Sequence, residues 1–129
     1  MNTTPVIGAP WPGIDGFYAG VSCGEDGEPD AHLVRLSAWP ADKLNWADAT
    51  AWAPSIRSDA RLPTRFEGAL LYANLHGMHE DTGDWYWTCS EHSAEGAWSQ
   101  SFFHGSQNVY DKGFEAWAFA VVRIPLQGA

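Results

Sequence analysis

Basic residues are scarce in this sequence. Seven Lys and Arg stand against sixteen Asp and Glu, which gives a formal net charge of −9. Binding to a nucleic-acid backbone depends on clustered cations that release counterions from the phosphates, and this chain has too few of them. We therefore expect no nucleic-acid partner, and the same shortage leaves no polybasic patch for an anionic membrane surface.

Long apolar stretches are missing as well. No run approaches the roughly 20 residues that a helix needs to span a bilayer. Residues 1–5 do not combine a basic segment with a following apolar one, which is the pattern of a secretory signal. We expect a soluble protein that is synthesised and folded in the cytoplasm and does not insert into a membrane.

Cysteine is rare, and the two residues are Cys23 and Cys89. A pair without an export signal is more often two reduced thiols than a disulfide, so the sequence favours free thiols and leaves pairing open. Cys89 near Glu91 and His92 suggests a nucleophile with a base. Nothing nearby in the sequence supplies an oxyanion hole or a lowered thiol pKa, so a thiol packed within a strand is the favoured interpretation.

Metal-binding patterns are absent too. His76, His79 and Glu80 lie in the order His-Gly-Met-His-Glu, whereas a zinc-binding helix carries His-Glu-x-x-His. The acidic loop 24–30 offers carboxylate oxygens for calcium but lacks the spacing of a calcium loop between two helices. We favour a surface loop for the first segment and a solvated turn for the second, and we predict neither a metal nor a cofactor.

Aromatic residues, by contrast, are abundant. The 129 residues include eight Trp, and 45% of them are hydrophobic, which is enough to bury the core of one ordinary domain. Thirteen Gly and eight Pro argue against a helical bundle and favour a loop-rich α+β or β-rich fold. We expect residues 1–13 to form an irregular lead-in anchored by Trp11, and residues 14–129 to form a single domain.

Strand patterns occur in both halves of the chain. Residues 17–22 and 31–36 predict a hairpin around the acidic loop. Trp85, Tyr86 and Trp87 alternate along a later strand, so the two indoles face one side and the phenol faces the other. Burial of both indoles in the core is favoured, and contact with a ligand stays open.

The first helix is predicted over residues 45–53. Asn45 or Asp42 caps its N-terminus, and its apolar positions recur at spacings of three and four. We expect Trp46 to lie on the buried face. The helix should end near Pro54, because proline cannot donate a helical hydrogen bond.

The second helix is predicted to begin after Thr64. The Thr64 hydroxyl and the Glu67 carboxylate have the spacing of a capping box, and the helix should end near Gly77. Arg65 lies where a cation opposes the helix dipole, so we expect a carboxylate or backbone carbonyls to hold it.

Arg123 lies in the last apolar strand and needs a partner for its charge. Glu91 and Glu67 are the two candidates. The residues to which the sequence assigns a structural role are Trp46, Leu62, Arg65, Trp87 and Arg123.

Five features, taken in order, carry a resemblance. They are the first hairpin, the Trp-containing first helix, the helix start Leu62-Pro63-Thr64-Arg65, the strand Trp85-Tyr86-Trp87-Thr88-Cys89-Ser90-Glu91 and the terminal strand Ala120-Val121-Val122-Arg123, and the third and fourth are the most specific. Their order resembles that of the small bacterial and phage domains related to the Lcl C-terminal domain. The resemblance covers residues 14–125 and implies a C-type-lectin-like fold, in which two helices flank a small antiparallel sheet and a loop-rich lobe presents the binding surface. It implies a general binding role without naming a ligand.

The segment 97–112 is the predicted binding surface. Its rigid aromatic residues mix with Ser, Gln and Asn around a glycine, as in antibody paratopes. The resemblance implies the same segment, because related lectin-like proteins contact receptors just before their last strand. The sequence lacks the Glu-Pro-Asn, Gln-Pro-Asp and Trp-Asn-Asp motifs of calcium-dependent lectins. The candidate ligand-binding residues are Trp98, Gln100, Phe103, His104, Gln107, Asn108, Tyr110 and Lys112.

Two function classes follow from this surface, and a third is kept only because His and Cys are present. The first is a non-enzymatic binding module, made in the cytoplasm of a bacterial host, that a phage or prophage virion carries on its tail to recognise a host-surface glycan or protein. The alternative is a structural virion component, such as a tail or capsid decoration protein, in which the aromatic surface is an assembly interface. A homo-oligomer suits either role. The third class, an enzyme, is not favoured.

Overall fold

Two helices and two three-stranded antiparallel sheets form the described part of the chain. The structure, a computed structural model, describes residues 5–75 and 85–126. The predicted α+β class is confirmed, whereas the expected single small sheet is replaced by two sheets. The elements are β1 Gly16–Ser22, β2 Ala31–Leu36, α1 Trp46–Ile56, α2 Arg65–Leu75, β3 Trp85–Glu91, β4 Gly96–Ser101, β5 Gln107–Asp111 and β6 Val121–Pro125.

The first sheet has the strand order β1-β2-β6, and the predicted hairpin is present. The lead-in lies along the outer edge of β1. The N–H of Gly8 donates to the Tyr18 carbonyl over 2.8 Å, and the N–H of Tyr18 donates to the Ala9 carbonyl over 2.9 Å. Trp11 packs against Tyr18 with ring centroids 5.3 Å apart. The lead-in therefore covers a strand edge that would otherwise present unpaired backbone groups.

Helix α1 begins as predicted and ends later than predicted. The Asn45 side chain accepts the N–H of Asp48 over 2.9 Å, which makes Asn45 the cap. The predicted end near Pro54 is wrong, because α1 continues through Pro54 to Ile56. Pro54 removes the hydrogen bond to the Thr50 carbonyl, but both residues are exposed, so water can solvate that carbonyl and the helix continues.

Helix α2 begins with the predicted capping box. The N–H of Glu67 donates to the Thr64 hydroxyl oxygen over 3.1 Å, and the N–H of Thr64 donates to Glu67 Oε1 over 2.9 Å. Its buried residues Leu71 and Leu75 pack into the core beside the second sheet. The described helix ends at Leu75, and the predicted end near Gly77 lies outside the described residues.

The second sheet is the meander β3-β4-β5. Tyr86 and Trp87 in β3 are buried, and Trp85 is half-buried. The Tyr86 ring stacks on Phe119 with centroids 4.3 Å apart, and the Trp87 indole N–H donates to the Leu44 carbonyl over 2.9 Å. Of the two indoles predicted to be buried, Trp87 is thus a core residue, whereas Trp85 is only half-buried.

A buried carboxylate joins the two halves of the molecule. Glu67 is 1% exposed, and Arg61 from the preceding loop reaches both of its oxygens over 2.9 and 3.1 Å. Arg123 of β6 donates to the same carboxylate, and the Ser22 hydroxyl at the end of β1 lies 3.4 Å from it. Of the two partners expected for Arg123, the structure has Glu67, while Glu91 pairs with Lys112 over 2.6 Å.

No helix in residues 5–75 or 85–126 is long and apolar enough to cross a membrane.

The Glu67 cluster predicts a large loss of stability in Glu67→Gln. The substitution removes the one negative charge between two half-buried guanidinium groups, and breaking a buried ion pair on one side costs about 3–5 kcal/mol. Urea unfolding followed by tryptophan fluorescence measures the change. Glu91→Gln is the matched control, because its exposed pair with Lys112 contributes at most about 1 kcal/mol. Equal losses in the two variants would contradict the assignment.

Candidate binding surface

The hairpin of β4 and β5 carries most of the predicted ligand-binding residues, and its register places them on two faces. Ser99 lies opposite Asn108, and Gln100 lies opposite Gln107. Directly opposed residues share a face, and successive residues alternate between faces. The predicted residues therefore form two faces and a tip. Trp98, Gln100 and Gln107 lie on the face that packs on α2, and Asn108 and Tyr110 lie on the other.

On the α2 face, the Trp98 ring is already stacked. The guanidinium carbon of Arg65 lies 3.5 Å from the centroid of this ring, and His92 meets it edge-on at 5.8 Å. A cation over an indole is held by the ring quadrupole. The Arg65 side chain also donates to the Gln107 amide oxygen over 3.2 Å. In the described residues its partners are therefore an indole and an amide, and the predicted carboxylate or backbone carbonyls are not what holds it.

The two glutamines on this face bind to each other and to the backbone. Gln100 is 1% exposed, and its amide oxygen accepts from Gln107 over 2.8 Å. The Gln107 amide also donates to the Arg65 carbonyl over 2.6 Å, which fastens β5 to the start of α2. Gln100 is therefore a structural residue and not a surface ligand contact.

On the opposite face, aromatic rings form a ladder that runs across the sheet from β3 to β5 and on to Phe114. Tyr110 meets Trp85 edge-on at 5.2 Å and stacks on Phe114 at 4.7 Å. Phe114 is 44% exposed. Lys112 pairs with Glu91 and lies 4.5 Å from the centroid of the Trp46 ring, so its charge is held within the protein. We call Trp85, Tyr110 and Phe114 the aromatic ladder.

Strand β5 is an edge strand in the described part of the chain, and Asn108 protects it. Hydrogen bonds join the Ser101 N–H to the Ser106 carbonyl and the Lys112 N–H to the Glu95 carbonyl. In an antiparallel pair every second residue bonds to the neighbouring strand, and by this alternation the Val109 N–H points away from β4. The Asn108 side chain accepts that N–H over 3.0 Å. An edge N–H that is already bonded is a poor template for another strand.

The tip of the hairpin holds the predicted residues that face solvent most openly. Phe103 is 69% exposed, and its ring stacks on the exposed His104 ring with centroids 4.2 Å apart. The Ser101 hydroxyl accepts the N–H groups of both residues over 3.1 and 3.3 Å. Gly105 has φ +78°, and a Cβ there would lie 2.4 Å from the Tyr72 ring of α2. The tip backbone is thus fixed at both ends, while its two rings point into water.

Two further residues with a predicted structural role, Leu62 and Trp46, differ in burial. Leu62 is 1% exposed in the main core cluster. Trp46 is half-buried, and its indole N–H donates to the Thr88 carbonyl over 2.9 Å. This hydrogen bond from Trp46 holds α1 against β3.

An aromatic cluster on the first sheet was missed. Trp11, Tyr18 and His32 have ring centroids 5.2 to 5.3 Å apart, and the Tyr18 hydroxyl lies 2.7 Å from His32 Nδ1. A pocket of about 450 Å³ opens beside Trp11. Three prolines around a Trp in the lead-in are the sequence signal for this pocket, although the sequence predicts only an anchoring role for Trp11.

The thiols and the acidic loop show no paired or clustered site in the described residues. Cys23 and Cys89 are free, as favoured. Burial raises the pKa of the Cys89 thiol, although the nearby Arg61 acts in the opposite direction.

In the acidic loop, Asp30 accepts the Gly24 N–H over 2.9 Å and so closes the turn. No group of three His, Cys, Asp or Glu in residues 5–75 and 85–126 is arranged to hold a metal, and His76, His79 and Glu80 lie outside them.

No protein-family model matches this chain, and no curated protein matches it.

The two thiols should differ in reactivity. The thiolate is the reactive form, so the raised pKa of Cys89 lowers its thiolate fraction at neutral pH, and half-burial limits access. We expect iodoacetamide to alkylate the exposed Cys23 clearly faster than Cys89, because both the thiolate fraction and the access of the reagent are lower at Cys89. Peptide mapping by mass spectrometry measures both rates. Denaturant should abolish the difference, and equal rates in the folded protein would contradict it.

Proposed function

We propose that this chain is a non-enzymatic binding module that recognises a host-surface glycan or protein, as a tail or receptor-binding component of a phage or prophage virion. The observation that carries the proposal is the hairpin tip, where the stacked pair of Phe103 and His104 is exposed on a fixed backbone. A single exposed phenylalanine would mean little. An exposed aromatic pair on a turn held by Ser101 and Gly105 is a preorganised contact, which loses little entropy on binding.

The chemistry of the tip suits both kinds of partner. The Phe103 ring can stack on the C–H face of a sugar or enter an apolar cleft of a protein, and the His104 imidazole can donate or accept a hydrogen bond. Neither contact requires a metal. The net charge of −9 opposes approach to an anionic polysaccharide, so we infer a neutral or basic partner.

We also propose that the fold is C-type-lectin-like, as the resemblance implies. Two features support this proposal. The helices α1 and α2 flank the sheets, and the hairpin of β4 and β5 presents an exposed loop just before the last strand β6. Fold alone does not name a function, so the tip remains the basis for the binding role.

A structural virion component is the second candidate, and the aromatic ladder supports it. Phe114 and the half-buried Tyr110 give the outer edge of the second sheet an apolar strip beside β5. Such a strip fits contact with another virion protein or a second copy of the chain. Asn108 blocks strand addition at Val109, so the contact would use side chains rather than shared strands.

The test compares binding of three proteins to an array of bacterial surface glycans and to immobilised cell-envelope proteins. The wild type should bind a subset of these surfaces. Phe103→Ala/His104→Ala should weaken that binding by roughly 30-fold or more, because truncating a hot-spot aromatic residue costs about 2 kcal/mol or more. Phe66→Ala is the control, since Phe66 is similarly exposed at 61% and lies on α2 away from the tip.

Two results would overturn the proposal. One is binding by the tip variant that equals that of the wild type. The other is absence of binding together with an oligomer, measured by light scattering, that dissociates in Tyr110→Ala/Phe114→Ala. That second result would place the aromatic ladder in an assembly interface and establish the structural candidate instead.

A further inference from the structure

The lead-in and β1 enclose a pocket that the hairpin does not use. Its volume is about 450 Å³, within the range of roughly 300–1,000 Å³ that small-molecule sites occupy. Turns and strand bonds fix its walls, since the Ala9 N–H donates to the Val6 carbonyl and the Trp11 N–H donates to the Gly16 carbonyl. The lining residues are Pro5, Val6, Ala9, Pro10, Trp11, Pro12 and Tyr18.

The walls offer very few hydrogen-bond donors. Pro5, Pro10 and Pro12 have no N–H, and the N–H groups of Ala9, Trp11 and Tyr18 are bonded within the chain, so Val6 is the remaining backbone donor of the lining. The Tyr18 hydroxyl is bonded to His32. Among the described residues, the Trp11 indole N–H is the one side-chain donor of the lining without a partner. The pocket therefore suits a ligand with at most one or two polar atoms.

This donor shortage decides between ligand classes. A sugar would bury several hydroxyl oxygens that find few donors in these walls, and each unpaired polar group costs about 1–3 kcal/mol. A peptide would likewise bring backbone carbonyls to walls that are largely proline. An anion would be repelled by a protein of net charge −9. A neutral, largely apolar ring compound loses none of these interactions and gains contact with the Trp11 and Tyr18 rings.

We propose that the pocket between the lead-in and β1 is a binding site for a neutral, apolar small molecule of one or two rings, which rests against Trp11 and can offer one acceptor to its indole N–H. The site is separate from the hairpin tip and does not depend on the function proposed for it.

The experiment titrates the intact chain with prodan, a neutral naphthalene ketone whose fluorescence shifts to shorter wavelength in an apolar site. We expect saturable binding at one site. The indole N–H signal of Trp11, assigned in amide correlation spectra with Trp11→Phe, should move during the titration. Failure to saturate, or movement of other indole signals alone, would overturn the proposal.

A pair of matched variants locates the site. Val6 lines the pocket and is 63% exposed, so Val6→Asp should fold normally and weaken prodan binding roughly tenfold or more, because a carboxylate at the rim resists desolvation. Phe66→Asp adds the same charge at a residue that is 61% exposed on α2, and its binding should match the wild type. Equal weakening in both variants, or displacement of prodan by N-acetylglucosamine or a proline-rich peptide, would overturn the assignment.

Discussion

The rest of the structure depends on the Glu67 carboxylate, which is buried and shared by two arginines. It closes the capping box of α2, binds Arg61 through both oxygens and accepts from Arg123 of β6. A buried charge with a missing partner is far more costly than a buried pair, so the three side chains are mutually required. Through them, one residue fixes where α2 starts relative to the first sheet.

Because Glu67 fixes the start of helix α2, the helix in turn fixes the position of the β4–β5 hairpin that carries the candidate surface. At its first turn, the Arg65 carbonyl binds Gln107 and the Arg65 guanidinium covers Trp98. Two turns later, Tyr72 packs on the Gly105 backbone of the hairpin tip. A helix anchored at one end by Glu67 thus holds the hairpin at two points, which is how the fold presents Phe103 on a backbone that does not need to be ordered by its partner.

Local signals in the sequence were sufficient where the structure is decided within a few residues. The Asn45 cap, the capping box of Thr64 and Glu67, and the first hairpin all follow from short spacings. The division of the binding segment into two faces depends on the length of the turn between β4 and β5, and the partners of the Arg65 side chain, Trp98 and Gln107, lie 33 and 42 positions away in the sequence. The pocket depends on the lead-in folding back on β1, which composition alone does not specify.

Amide nitrogen relaxation by NMR on the free protein shows whether a rigid scaffold presents a preorganised aromatic tip. We expect order parameters at Phe103, His104 and Gly105 near the value of rigid backbone, about 0.85, and close to those of strand β4. Values below about 0.6 at these residues, with β4 rigid, would contradict it, because the tip would then be ordered only by its partner.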